Sequence, residues 1–277
     1  FTFALGIATS TAGGLRANFG TMTKPYHAGM AAFNGTTSAI LAGMGLNAAS
    51  DAIEATDGFG QVFSGDRFEK STGDFGNPWD IVKPGLVFKK YPCCSGTHPA
   101  IDCILEMVHR TPFTAEQLVS IRVGVSQLGF RELIHHAPVG AMEARFSMEF
   151  ALAAAVRYGM VGLEQFQTSC INDPQIRELI PKIQMELDPE FAPLGLIGTA
   201  PAKLRILLKD GRTLDGRCDL AKGNPEKPLS DGELSSKFLE CVSGILELRN
   251  AKKILEALFA CEKIDDINSI LKMILTW

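Results

Sequence analysis

The sequence predicts a two-domain α+β protein, in which an all-helical domain is built from both ends of the chain and a smaller α+β domain is inserted between them. The two ends, residues 1–84 and 230–277, carry helical patterns. The middle part, residues 85–229, mixes helical and strand-like patterns. A glycine-rich stretch from Gly58 to Pro84 has the composition of a loop and is expected to connect the two domains.

The N-terminal part reads as helical, with breaks at Gly13–Gly14 and at Gly20. Small residues recur at helical spacing between His27 and Gly43, which predicts a helix that permits close helix–helix contact and is buried on most sides. The chain begins at Phe1 inside a helical pattern, so we expect it to be a fragment of a longer chain. The small residues at this spacing are Ala31, Gly35, Ala39 and Ala42.

The middle part opens with a predicted short strand from Gly85 to Pro92, followed by a predicted helix from Ser95 to Arg110. Leu118 to Gln127 alternates β-branched and polar residues, as a half-buried strand does. A strong helical pattern then spans Met142 to Gly159, and two short helices are expected before Leu187.

The next segment, Ala202 to Leu220, predicts two strands joined by a tight turn at Asp210–Gly211, which is a hairpin signal. Helical patterns return after the hairpin. Ser230 is expected to cap the first of these helices, and the last helix is expected near Ile264 to Leu275.

Composition and charge exclude several functional classes. A formal net charge of −4 at pH 7 gives no basic excess, so we expect no nucleic-acid partner. No segment reads as a membrane span, and the apolar opening residues lack the basic start of a signal peptide. We therefore expect no membrane partner and a cytoplasmic location.

The seven cysteines show no spacing typical of a zinc or iron–sulfur site. Cys93 and Cys94 are adjacent, and the others are scattered in apolar surroundings. This pattern indicates reduced thiols and no bound metal.

The segment Thr23–Lys24–Pro25–Tyr26–His27 brings a lysine and a histidine to a predicted helix start. Proline is favoured at the first helical position, so Pro25 marks the start and Lys24 lies at the cap. A lysine there costs about 0.3–1 kcal/mol unless an anion is bound, because helix N-termini carry positive potential. The segment therefore predicts an anion site, although a solvated lysine and a structural histidine are the alternatives from the pattern alone.

The segment from Lys89 to Asp102, KKYPCCSGTHPAID, repeats this arrangement. Two lysines end the predicted strand, a tight Pro-Cys-Cys-Ser-Gly turn follows, and a helix opens near Thr97 to Pro99. The two segments together predict a ligand with more than one carboxylate. The alternatives are that Cys93 and Cys94 are small core residues and that His98 is a structural histidine.

Two further pairs of polar residues have ordinary explanations. His135 and His136 lack a partner at metal-binding spacing, so a loop position is expected rather than a ligand site. Arg145 and Glu149 stand at i and i+4, which fits an ion pair on a helix surface. Neither pair by itself indicates a function.

Three segments resemble the MmgE/PrpD family, which contains 2-methylcitrate dehydratase, cis-aconitate decarboxylase and iminodisuccinate epimerase. The resemblance implies a helical domain with an inserted α+β domain, and usually a homodimer formed through the helical domain. It also implies cofactor-independent chemistry on di- or tricarboxylates, in a cleft between the two domains. The segments are RANFGTMTKPYHAGMAAFNG, KKYPCCSGTHPAID and EARFSMEFALAAAV.

The family motifs imply catalytic positions at Lys24, His27, Lys89 and Cys94. The two lysines are expected to bind carboxylates and to stabilise developing negative charge, while His27 transfers a proton. Cys94 is expected to line the pocket or to form a hydrogen bond with the substrate. The residues assigned to substrate binding are Thr23, Tyr26, Lys90, Ser95, His98 and Arg145, and no metal ligand is assigned.

Three features depart from the family pattern. Lys90 occupies a position often held by proline, and Cys94 stands where decarboxylases of the mammalian type have a histidine. The family's chain also starts well before residue 1, with an Asp- and His-containing segment that contributes to the active site. We therefore expect this chain to hold only part of the catalytic set.

The resemblance predicts a hydro-lyase that dehydrates a 2-methylcitrate-like substrate without a cofactor. Dehydration needs a base for a C–H proton next to a carboxylate, cationic groups for the developing charge and an acid for the departing hydroxyl. Decarboxylation of cis-aconitate and epimerisation of iminodisuccinate share this carbanion chemistry, so the motifs do not separate the three reactions. A catalytically silent family member that binds or assembles is the rival from another functional class.

Overall fold

The computed structural model describes residues 1–64, 76–194 and 201–275. The chain divides into two compact units, Phe1–Gly85 and Leu86–Trp277. Helices and a mixed four-stranded sheet are present, which is compatible with the predicted α+β class. The prediction that residues 230–277 share one domain with residues 1–84 stays a prediction.

The first unit contains a short helix packed against a long one. Helix α1 (Thr2–Thr9) lies against α2 (Thr23–Gly43), and a 3-10 turn (Arg16–Asn18) precedes α2. Helix α3 (Phe59–Ser64) forms at the start of the predicted connecting loop, of which residues 65–75 lie outside the described residues. The predicted breaks near the N-terminus therefore do separate helices.

Two sequence-based details of α2 are wrong. The helix begins at Thr23 after an N-cap at Met22, so Lys24 is its second residue and Pro25 its third. Pro25 is still tolerated, because N–H groups of the first turn have no partner within the helix. The helix is also not buried on most sides, since Ser38 is its buried residue and the eight-residue α1 covers only part of its 21 residues.

The second unit is built on one mixed sheet with strand order β2-β1-β3-β4. Strand β1 runs parallel to β2 and antiparallel to β3, and β4 is antiparallel to β3. The strand predicted from Leu118 to Gln127 and the hairpin are confirmed, whereas β2 follows the short helices without having been predicted. The strands are β1 (Leu118–Val125), β2 (Ile183–Leu187), β3 (Ala202–Leu208) and β4 (Thr213–Cys218).

The strand predicted from Gly85 to Pro92 does not form. The Phe88 N–H donates to Gly223 O at 2.8 Å, but this bond does not continue into a ladder in the part of the chain that is described. Pro84 and Pro92 flank the segment and have no N–H to donate. From Leu86 onward the segment is therefore irregular.

The helices of the second unit follow the sequence pattern with one division. The single helix predicted over Met142–Gly159 is two helices, because Ser147 is extended and its Oγ accepts a hydrogen bond from Phe150 N at 3.1 Å, which caps a new helix. Gly159 ends this helix in a left-handed conformation. The helices are α4 (His98–Arg110), α5 (Gln127–Glu132), α6 (Ala141–Ala144), α7 (Met148–Tyr158), α8 (Thr168–Ile171) and α9 (Pro174–Leu179).

The C-terminal helices carry the predicted cap. Ser230 Oγ accepts from Glu233 N at 3.3 Å, and the Glu233 carboxylate accepts from Ser230 N at 2.9 Å, which is a capping box. The last helix starts at Asn268 rather than near Ile264. Within the described ranges, no helix is both long and apolar enough to cross a membrane. The helices are α10 (Asp231–Val242), α11 (Leu248–Phe259) and α12 (Asn268–Leu275).

The core of the second unit lies between one face of the sheet and helices α4 and α7. Ile104 of α4, Ile121 of β1 and Phe150 of α7 are fully buried there. Strand β4 approaches α4 closely at Gly216, where an added Cβ would lie 2.7 Å from Cys103 Sγ and would also overlap Met107 Sδ. This packing holds α4 against the sheet, and the second lysine-bearing segment leads into α4.

Candidate active site

The turn before α4 is held by hydrogen bonds on both of its sides. Cys94 N donates to Arg145 O at 2.9 Å, and Thr97 Oγ1 donates to Cys94 O at 2.8 Å. Lys89 Nζ donates to Cys93 O at 3.1 Å, so the lysine folds back over the turn. Pro99 lies in the first turn of α4, where its missing N–H costs nothing. The predicted helix start is confirmed here.

The two adjacent thiols face different partners. Cys93 Sγ lies 3.0 Å from Thr97 Oγ1, and Cys94 Sγ donates to Glu132 Oε2 at 3.5 Å. Burial raises the pKa of Cys93 to about 12 and also raises the pKa of Cys94, although the Lys89 charge opposes both shifts. Both side chains are therefore neutral thiols near pH 7, which makes them hydrogen-bond donors rather than nucleophiles.

His98 is a buried, neutral histidine. Its residue exposure is 3%, and burial together with the Lys89 charge lowers its pKa to about 4. The ring packs edge-on against Tyr91, with 5.2 Å between the ring centroids. Its Nε2 is buried and has no hydrogen-bond partner. A neutral imidazole nitrogen beside a lysine is therefore available at the start of α4.

Arg145 lies between α6 and α7 rather than on one helix with Glu149. The predicted Arg145–Glu149 pair is wrong, because Glu149 Oε1 instead lies 2.8 Å from His136 Nδ1. The Arg145 Nη1 donates to Met142 Sδ at 3.5 Å, and its Nε is buried without a partner. The charge of the Arg145 guanidinium group acts to lower the pKa of Cys93, so Arg145 lies close enough to the turn to affect that thiol.

Three buried nitrogen atoms without partners occur in the described residues, and all belong to this neighbourhood. Besides His98 Nε2 and Arg145 Nε, the third is His135 Nε2, in the loop where the sequence predicts both histidines of the pair. His135 N lies 3.4 Å from Phe146 O, next to Arg145. Buried polar atoms without partners are rare, so these three nitrogen atoms are candidates for contact with a polar ligand.

Lys90 has different partners from those of Lys89. Its Nζ lies 3.6 Å from Asp102 Oδ1 and 3.9 Å from Glu233 Oε1. Tyr91 Oη donates to the same Asp102 oxygen at 2.6 Å. These contacts give Lys90 a structural role, and its assigned part in substrate binding stays a prediction. Ser95 lies half-buried in the 3-10 turn (Ser95–Thr97) that precedes α4, and its assigned part also stays a prediction.

The first lysine-bearing segment lines a cavity of about 490 Å³ in the first unit. Thr23, Tyr26 and His27 face it along one side of α2. The His27 ring lies against Gly14, which has a φ of +133° and where an added Cβ would come within 3.3 Å of the ring. Lys24 Nζ lies 3.9 Å from the centroid of the Phe19 ring. The catalytic roles of Lys24 and His27 stay predictions.

Sequence reasoning missed Glu132 and the buried nitrogen of His135. Glu132 meets Cys94 across 38 positions of sequence, at the end of the short helix α5, and no spacing or composition signal marks it. Among the described residues, no group of three or more His, Cys, Asp or Glu side chains could hold a metal ion.

The comparisons with known proteins bear on both parts of the chain. Residues 1–71 match the MmgE/PrpD N-terminal domain, and residues 91–261 match the MmgE/PrpD C-terminal domain. Similar curated proteins include cis-aconitate decarboxylases from Mus musculus at 28% identity, Homo sapiens at 29% and Aspergillus terreus at 24%. These matches cover 98%, 95% and 98% of this chain and 56%, 55% and 58% of the relatives.

The chain thus spans a little over half the length of the curated relatives it matches. The two family matches are consecutive and together cover most of the chain, and the second includes the turn, α4 and the sheet. The chain therefore belongs to the MmgE/PrpD family.

Proposed function

We propose that the protein is a lyase that acts on a small di- or tricarboxylate. The observation that carries this proposal is the set of buried nitrogen atoms without partners at His98, His135 and Arg145. Their segments are joined by backbone hydrogen bonds around the turn, and the Lys89 charge acts on His98. Carboxylates accept hydrogen bonds and carry negative charge, so they match this set of groups. Membership of a family that contains lyases supports the same class.

The proposed chemistry is the formation of a carbanion next to a carboxylate. Lys89 and Arg145 hold the carboxylate and stabilise the charge that develops on it. His98 is neutral at pH 7, so its Nε2 contributes a hydrogen bond without adding a positive charge. The charged groups and the neutral histidine thus have different roles, which their environments set, as at other active sites with titratable groups.

Decarboxylation of cis-aconitate is the first candidate reaction, because the three relatives described above carry that name. Dehydration of a 2-methylcitrate-like substrate is the second candidate. It is favoured by Cys94, which stands where the family resemblance implies a histidine in decarboxylases of the mammalian type. We also propose that the protein works as a homodimer and without a cofactor.

The test is to incubate purified full-length protein with cis-aconitate, 2-methylcitrate and iminodisuccinate, and to follow each by NMR. Release of CO₂ from cis-aconitate identifies decarboxylation, and appearance of an alkene from 2-methylcitrate identifies dehydration. The Lys89→Ala variant is the control for contaminating activity. If the folded protein turns over none of the three compounds, the proposal is wrong and a binding role takes its place.

A further inference from the structure

Glu132 is held firmly above the turn that carries Cys94. It is the last residue of α5, a helix capped by Ser126 Oγ, which accepts from Gly129 N at 3.4 Å. Gly129 faces Gly96 in the turn, and a Cβ added to Gly96 would lie 3.6 Å from Gly129 Cα. Helix α5 and the turn therefore lie close together at these two glycines. The end of α5 is therefore fixed relative to Cys94.

The Glu132 carboxylate is poorly satisfied for a half-buried acid. Its hydrogen bond from Cys94 Sγ, at 3.5 Å, comes from a thiol, which is a weak donor. In the part of the chain that the structure describes, no cationic nitrogen lies within 4 Å of it. A carboxylate at a helix C-terminus also opposes the helix dipole. Such violations of local rules are expected at functional sites rather than at structural ones.

Cys94 links Glu132 electrostatically to the rest of the site. Burial has the largest effect on the pKa of the Cys94 thiol and raises it. The Glu132 charge also raises this pKa, and the Lys89 charge lowers it. The thiol therefore stays protonated near pH 7 and donates a hydrogen bond to Glu132. A carboxylate acceptor and a lysine thus flank one small side chain.

We propose that Glu132 is the proton-transfer group of the carboxylate site, and that Cys94 positions its carboxylate. This inference rests on the proposed function. Glu132 accepts a proton from the substrate carbon next to a carboxylate, so that a C–H bond breaks and an O–H bond forms on Glu132. The electron pair of the broken bond moves toward the substrate carboxylate held by Lys89.

The proton balance closes for both candidate reactions. In dehydration, Glu132 returns its proton to the departing hydroxyl, the C–O bond breaks with its electrons on oxygen, and water leaves. In decarboxylation, the role of Glu132 is reversed, and the reaction starts from its protonated form. The C–C bond breaks, CO₂ leaves, the electron pair left on carbon takes the proton of Glu132, and the carboxylate is protonated again from solvent. Neither route requires an oxidant or reductant.

The test compares Glu132→Gln with Glu178→Gln, the same chemical change at an exposed position on α9. We expect Glu132→Gln to lower kcat by about 10²–10⁴-fold, the usual contribution of a general acid–base group, with KM changed by less than about threefold. The limb of the pH–rate profile that reports this carboxylate should disappear. Cys94→Ser, which keeps a donor, should retain far more activity than Glu132→Gln.

Other outcomes overturn the assignment. They are a Glu132→Gln variant with kcat within about threefold of the parent, an unchanged pH–rate profile despite lower kcat, or an equal loss in Glu178→Gln. Thermal unfolding of each variant separates lost folding from lost catalysis. Glu132→Asp keeps the carboxylate and should recover part of the rate if the variant is folded.

A second measurement separates this inference from the proposed function. Alkylation of Cys94 against pH, read by peptide mass spectrometry, needs no substrate. In Glu132→Gln the carboxylate charge is removed, so the pKa of Cys94 should fall and its labelling at pH 8 should become faster than in the parent. An unchanged Cys94 profile would overturn the Glu132–Cys94 interaction. An inactive parent protein with the expected shift in Cys94 would instead count against the proposed function alone.

Discussion

The starts of α2 and α4 have similar residue types but differ in how deeply they are buried. Each brings a lysine, a proline and a histidine to a helix N-terminus. At α4, the histidine is 3% exposed and the turn is bonded on both sides. At α2, Tyr26 is 60% exposed, and Ser38 is the buried residue of the whole helix.

The difference shows that burial, rather than the motif, decides what a charged helix start does to its neighbours. Around α4, the Lys89 charge lowers the pKa of His98 and opposes the rise in the pKa of Cys93 and Cys94. Such effects are strong where water is excluded and weak at an exposed surface. The α4 segment therefore changes the pKa of its own neighbours within the second unit.

The largest expected effect separates Lys89 from its neighbour Lys90. Lys89→Ala should lower kcat/KM by about 10²–10³-fold, because it removes a charge that stabilises the developing anion. Lys90→Ala, the matched control, should change kcat/KM by less than about threefold, because Lys90 pairs with Asp102 and Glu233. Steady-state kinetics on the substrate found active would check this. Equal losses in the two variants would contradict the structural role given to Lys90.

The next effect compares the interiors of the two units through matched isoleucines. Ile104 is fully buried under the sheet, and Ile104→Ala should lower the free energy of unfolding by about 2–5 kcal/mol. Ile40 of α2 is 59% exposed, and Ile40→Ala should change it by less than about 0.5 kcal/mol. Urea titrations followed by circular dichroism would measure both. A large loss in Ile40→Ala would show that α2 is covered in the protein in solution.

The third effect uses the pH dependence of stability to test the burial of His98. Its pKa is about 4 in the folded protein, below the ordinary value of 6.5, so between these pH values only the unfolded chain gains the proton. The free energy of unfolding should be fully retained above pH 6.5 and fall as the pH drops toward 4, by on the order of 3 kcal/mol. Unfolding curves across this range would show a smaller slope in His98→Gln. An equal dependence of the free energy of unfolding on pH in both proteins would show that the His98 side chain is exposed to solvent.

The smallest effect tests the packing of His27 in the first unit. Gly14 has a φ of +133° and lies against the His27 ring, so Gly14→Ala should cost about 1–2 kcal/mol in backbone strain and steric overlap. Gly13→Ala is the matched control, because an added Cβ there meets no atom within 4 Å. Thermal unfolding would compare the variants. If both behave alike, His27 does not rest on Gly14.

Much of the fold was predictable where the signal is local. The alternation of β-branched and polar residues predicts β1, and Asp210–Gly211 predicts the hairpin of β3 and β4. Ser230 predicts the helix cap, which Glu233 completes as a capping box. These signals hold because backbone geometry and short-range hydrogen bonds set them. The start of α4 was predictable for the same reason, since proline and the preceding turn fix it within a few residues.

The errors have both distant and local causes. The segment from Gly85 to Pro92 has strand-like composition but no neighbouring strand with which to form a ladder in the described residues. Ser147 divides a pattern that is helical throughout, because its capping bond outweighs the propensity of Arg145 and Phe146. Glu132 reaches the site through the packing of α5, which no spacing along the chain reveals.

The close approach of β4 to α4 at Gly216 has a consequence for motion. It leaves Cys103 4% exposed, and burial raises the pKa of its thiol to about 12, so alkylation at neutral pH is negligible while the sheet and helix stay together. When they separate, the thiol becomes accessible and ionises normally. The labelling rate of Cys103 therefore reports how often the sheet and α4 separate.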